Sequence, residues 1–216
     1  MEKTTRFRQI VGILCWESIF GVAYDAWISP SYLSGLAGEL KISLSLLSVV
    51  AAIPWIGASG QILGVWAFDH CTSVKWYVLG LAGLGRVLWF IPLGLGMYWG
   101  SQSYYHGIPF PADTWFIIAS ICACLSTTII AASNSAWMYW VKILLPSKFQ
   151  GRFFGYRQRF TMAAVILANL VAMPLVDWAP GGYHLGLGLL CTLALLSGTL
   201  SVTLNSKVHD VPVEYT

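Results

Sequence analysis

At 216 residues, with 57% of them hydrophobic, 10% charged and a mean hydropathy of +0.69, the chain is too apolar for a soluble domain and reads as an integral membrane protein. The net charge of +3, without any interleaving of basic and aromatic residues, excludes a nucleic-acid partner. The five cysteines are odd in number and mostly lie inside apolar runs, so they supply no disulfide or redox framework. The four histidines, at 70, 106, 184 and 209, fall in expected loops, helix ends or the tail, and no haem, pigment, metal or other cofactor is expected.

Six apolar segments follow one another. Lys3, Arg6 and Arg8 precede the first, 10–33, in the manner of a signal peptide, but the run contains Glu17, continues too far and lacks a small-x-small cleavage site. It is read as a retained first helix. The turn GLAGELK leads to the second segment, 42–68, where Pro54 offers a kink and small residues at 57, 60 and 64 permit close helix approach. DHCTSVK turns the chain into the third, 74–99, with Arg86 near its middle. The long loop SQSYYHGIPFPAD precedes the fourth, 115–145, the basic turn PSKFQGR the fifth, 153–178, and APGGYH the sixth, 185–204. The expectation is one all-α domain over 1–216, with a polar tail, NSKVHDVPVEYT, that reads as a natural end.

Under six crossings, Lys3, Arg6, Arg8, Lys75, Lys142, Lys148, Arg152, Arg157, Arg159 and Lys207 share one side, against Lys41 on the other and Arg86 within a span. Such a bias places both termini in the cytoplasm and the protein in the cytoplasmic, or inner, membrane. Trp76, Trp99, Trp115, Trp137, Trp140 and Trp178 lie near expected span ends, where an aromatic belt puts them.

The informative residues are the polar ones inside the spans: Glu17, Asp25, Gln61, Arg86, Asn134 and Asn169. A central ionised carboxylate costs roughly 2.5–3.5 kcal/mol on insertion scales, so it faces other helices or water rather than lipid. At about 100° per residue, positions 17, 21 and 25 drift by only about 80°, so Glu17, Gly21 and Asp25 share a face that should look inward. Asp25, ahead of Pro30, also suits the outer end of its helix. Arg86 stays charged at any relevant pH and needs a carboxylate, a polar cavity or an anionic ligand. Two readings stand side by side: a constellation whose pairing changes with substrate or proton, and a fixed pair that orients two helices. Asn134, Asn169 and Gln61 are cavity groups or interhelical hydrogen bonds. No catalytic motif appears at a usable spacing, so an enzyme is not expected.

The order of these features resembles the N-terminal six-helix half of a major facilitator superfamily transporter. The likeness is most specific over 137–160, WMYWVKILLPSKFQGRFFGYRQRF, where Pro146, Gly151, Arg152, Phe153 and Arg157 match the turn that ends helix four in many members. A second likeness, 61–89, departs from the family's latch between helices two and three. Gly64 to Asp69 is one residue too long, the second glycine is absent, and Lys75 alone represents the basic cluster. Arg86 is similar to the arginine that some members carry in helix three. The resemblance implies a cytoplasmic gate or lipid contact at Asp69, Lys75, Arg152 and Arg157. It also implies a half-size transporter that moves a small solute by alternating access, as a homodimer or with another membrane polypeptide as the partner half. The alternative is a non-transporting accessory or scaffold subunit of a larger membrane complex.

Overall fold

Apolar segments of this length satisfy their backbone in lipid only as helices or closed barrels, and these choose helices. The computed structural model describes residues 2–28, 30–68, 70–177 and 183–208. Among them run α1 (Glu2–Trp27), α2 (Pro30–Glu39), α3 (Leu44–Phe68), α4 (Val74–Val87), α5 (Phe90–His106), α6 (Ala112–Leu144), α7 (Ser147–Asp177) and α8 (Tyr183–Ser206). Six stretches are long and apolar enough to cross a membrane: 9–27 of α1, all of α3, 74–103 of α4 and α5 together, all of α6, 147–175 of α7 and 188–206 of α8. The protein is thus a multi-pass, all-helical membrane protein.

Several boundaries differ from the sequence expectation. The first segment ends at Trp27, and only its last residues, 30–33, enter the separate helix α2, which is opened by Pro30 at a position where proline is tolerated and runs on through most of the expected turn. The third crossing is broken at Leu88 and Trp89, because Pro92, three residues into α5, has no N–H to continue the α4 ladder. The basic turn before the fifth segment is almost wholly helical. Gln150 Nε2 donates to the Lys142 and Leu145 carbonyls at 2.9 and 3.0 Å, holding the end of α6 against the start of α7. Asp69, Trp178 and the tail from residue 209 lie outside the described residues.

The packing follows a pattern of exchange. α1 lies against α7 and α8, α3 against α6, and α4 against α6 and α8. Swapping the first three crossings (α1, α3, α4) for the last three (α6, α7, α8) turns the α1–α7 contact into α6–α3 and the α1–α8 contact into α6–α4, and it leaves α4–α8 on itself. The correspondence is incomplete, since α7 and α8 pack more extensively than α3 and α4.

The tightest seam is α3 on α6. A Cβ at Gly57 would come within 2.8 Å of Thr127 Oγ1, one at Gly64 within 2.5 Å of the Ala132 Cα, and one at Gly60 would collide with the Thr128 carbonyl. Lipid supplies no hydrophobic force between helices, so this backbone-to-backbone approach supplies the dispersion that joins them.

Two apolar clusters hold the remaining core. One gathers Tyr24, Ile53, Trp89, Phe116, Ala123 and Leu195; the other gathers Leu14, Val78, Trp137, Trp140, Phe153 and Val208. Trp137 and Trp140 are therefore interior, a correction to their expected place in an aromatic belt: they lie on the face of α6 turned to α1, α4 and α7, whereas Trp76 is exposed. Because Gly60 meets backbone that cannot rotate away, Gly60→Ala should cost about 1–3 kcal/mol of stability. Gly80→Ala, whose Cβ meets nothing, should leave the unfolding midpoint in mild detergent unchanged.

Candidate functional site

Between the two apolar clusters, every interior helix turns polar at the same level. On α1, Glu17 and Ser18 lie between Leu14 and Tyr24; on α4, Arg86 lies between Val78 and Trp89. On α6, Ser126 and Ser133 separate Ala123 from Ala136, and on α8, Ser197, Ser201 and Asn205 separate Leu195 from Val208. All of these side chains are buried, with Glu17 8% and Arg86 9% exposed.

The charged groups meet through serine hydroxyls. Arg86 Nη2 donates to Ser201 Oγ at 3.1 Å, and Ser201 Oγ donates to Glu17 Oε1 at 3.1 Å. On the other side of Glu17, Arg157 Nε of α7 donates to Ser18 Oγ at 2.6 Å; that hydroxyl in turn donates to the Leu14 carbonyl at 2.7 Å and lies 3.5 Å from Glu17 Oε2. Neither guanidinium hydrogen-bonds Glu17 directly. Each guanidinium also sits over an aromatic ring, Arg86 5.3 Å from the Tyr24 centroid and Arg157 4.3 Å from that of Trp137.

Two glycines make the room. A Cβ at Gly21 would lie 3.4 Å from Ser201 Oγ and 3.6 Å from Glu17 Oε1, in ordinary contact, so the polar centre closes directly over the α1 backbone. At Gly198 a Cβ would come within 2.7 Å of Arg86 Cδ and 2.9 Å of Tyr24 Cδ2, so any larger residue displaces the arginine.

A cavity of about 260 Å³ opens beside this network, walled by α1, α4, α6 and α7. Glu17, Asp25, Arg86, Asn134 and Arg157 all line it. Asp25 and Asn134, together with Met138, are exposed, so the cavity opens on the face that α1 shares with α6. The expected shared face of Glu17, Gly21 and Asp25 is present, and all three line the cavity.

Gln61 and Asn169 lie elsewhere. Gln61 is exposed on α3, and Asn169, also exposed, donates to the Val165 carbonyl on its own helix at 2.8 Å. Among the positions expected at the cytoplasmic side, Arg152 is exposed and Lys75 stands 5.8 Å from the Trp76 ring centroid, while Asp69 is outside the described residues. Arg157 lies in the cavity. Sequence reasoning missed Ser18, Ser201, Tyr24 and Trp137 as partners of the charges. The one signal available was Ser197, Ser201 and Asn205 recurring every four residues on a single face.

Among the described residues no three His, Cys, Asp or Glu side chains converge as metal ligands would. What the arrangement offers instead is two permanent cations and two carboxylates around an opening of about 260 Å³, with Glu17 near the middle of its span and Asp25 near its end. No family model, curated protein or solved structure matches the chain. Removing Arg86 takes away one of the two cations beside Glu17 and leaves Ser201 without its donor: Arg86→Met should cost about 1–3 kcal/mol. The Arg86→Met, Glu17→Gln double variant should recover part of that loss in detergent unfolding, and a double that merely sums the two losses would show the charges uncoupled.

Proposed function

We propose that this protein is a transporter-like six-span unit that moves a small solute by alternating access. It has both termini in the cytoplasm, and its open face is completed by a second copy or by another membrane polypeptide. The observation that carries this reading is the charged cavity itself. Lipid does not host an exposed amide at membrane depth, and groups that line a water-filled path or a partner's surface are the usual exception. Asn134 is such a group, and Asp25 stands at the end of its span where the cavity opens.

One feature of the fold supports it. The exchange of crossings one to three for four to six joins units of an odd number of spans, which enter the membrane from opposite sides. That is the inverted-repeat logic of transporter folds, nested within each six-span half of the major facilitator type. The third crossing also carries a local irregularity ahead of Pro92, close to Arg86, where Leu88 and Trp89 keep right-handed helical backbone. Orientation rests on the ten basic residues that fall on one side. The residues in question bind and reorient charge rather than make or break bonds, so no enzymatic role is proposed.

The test needs no known substrate. With the five native cysteines replaced, Asn134→Cys in proteoliposomes should react with a membrane-impermeant maleimide from either face, because an alternating cavity presents it to each in turn. Labelling from one face only, or from neither, would favour the accessory subunit.

A further inference from the structure

The donors around the cavity are not all used. An arginine carries five N–H donors. Arg157 spends one, on Ser18, and its two terminal nitrogens make no hydrogen bond among the described residues. Arg86 reaches Ser201 at 3.1 Å and the Ala82 carbonyl at a long 3.4 Å, while its Nε is buried with no partner. The Arg157 nitrogens stay accessible from the cavity, the Arg86 Nε is packed against Gly198, and the natural acceptor, Glu17, is held one hydroxyl away from both guanidiniums. The fold therefore keeps two cations close to a carboxylate without letting either close on it.

The geometry points to a small oxyanion, a carboxylate or a phosphate, as the solute of this cavity, gripped by the unused edge of Arg157 and by Arg86. This assignment rests on the transport reading and gives it a substrate class. Three observations narrow the class. Trp137 covers one face of the Arg157 guanidinium, which fixes its plane and presents its edge, the geometry that matches planar oxyanions with paired hydrogen bonds. The cavity, about 260 Å³ and open on one side, has room for such an anion beside the two guanidiniums.

The third observation is the placement of the acids, which disfavours a cation. Glu17 is 8% exposed, behind Gly21 and flanked on both sides by guanidiniums whose charge is permanent. An incoming cation would meet those charges before it met Glu17. Asp25 shares the cavity wall with Arg86 and offsets part of that arginine's charge, so the open edge of Arg157 is the group that faces an anion.

The experiment is thermal unfolding of the full chain in lipid nanodiscs with sodium acetate, sodium lactate or inorganic phosphate, at ionic strength matched by sodium chloride. Choline chloride and glucose serve as the cationic and neutral arms. An oxyanion should raise the midpoint in a saturable way, and comparing acetate and lactate with phosphate tells which kind is held. Arg157→Gln should weaken the apparent affinity roughly tenfold or more, as the loss of one paired charge-assisted contact implies. If that variant does not fold, Arg157→Lys, which keeps the charge but not the fork, should show the same weakening in smaller degree.

No saturable shift with any oxyanion would overturn the assignment, as would a shift that Arg157→Gln leaves intact or one produced by choline or glucose instead. Two-sided labelling at position 134 without an oxyanion effect would overturn the substrate class and leave transport standing. An oxyanion effect with one-sided labelling would keep the site and remove transport.

Discussion

The constraint on which the rest of this structure depends is that two guanidiniums and a carboxylate occupy mid-depth of a membrane protein. Each would cost several kcal/mol alone in that environment, and together they are tolerated only inside a polar layer that four helices build at one level. Ser18, Ser201 and Asn205 supply that layer, and Gly198 leaves the space that the Arg86 stem fills on its way to the hydroxyl bridges near 3 Å. The apolar clusters above and below then become two separate cores. A single continuous core would have left the charges nowhere to sit.

The serine bridges shape what the charges can do. A direct, bidentate arginine–carboxylate pair is a deep well, and breaking it at each cycle would be slow and costly. A hydroxyl between the partners leaves a softer interaction and can turn to donate or accept as its neighbours change. Ser18 illustrates this, since it accepts from Arg157 while donating to its own helix at Leu14. The closest seam lies elsewhere, where α3 meets α6 backbone to backbone. α6 therefore carries that seam on one face and cavity residues on another.

Much of this could be read from residues alone, and the division follows physical range. The six crossings were legible because apolar length is a local property, and the face shared by Glu17, Gly21 and Asp25 was legible because helical periodicity fixes it. The α3 seam was legible as three small residues at helical spacing. The serine partners were not, because a serine in an apolar helix commonly satisfies itself on the carbonyl four residues back and looks like any small residue. Which serine meets which charge is decided by α1 against α8, a pairing separated by most of the chain. Arg157 was read as part of a cytoplasmic turn. The helix begins at Ser147 rather than near Phe153, which carries the arginine ten residues, or about 15 Å, into the span.

Arg157 also explains why the cavity takes the form it does. Its stem crosses from α7 to lay the guanidinium on Trp137 of α6, while its Nε reaches Ser18 of α1. One side chain therefore touches three crossings that belong to both halves of the exchange pattern. Anything that draws on the free edge of that guanidinium pulls on α1, α6 and α7 at once. The same side chain thereby ties the relative position of the two three-helix units to the polar centre.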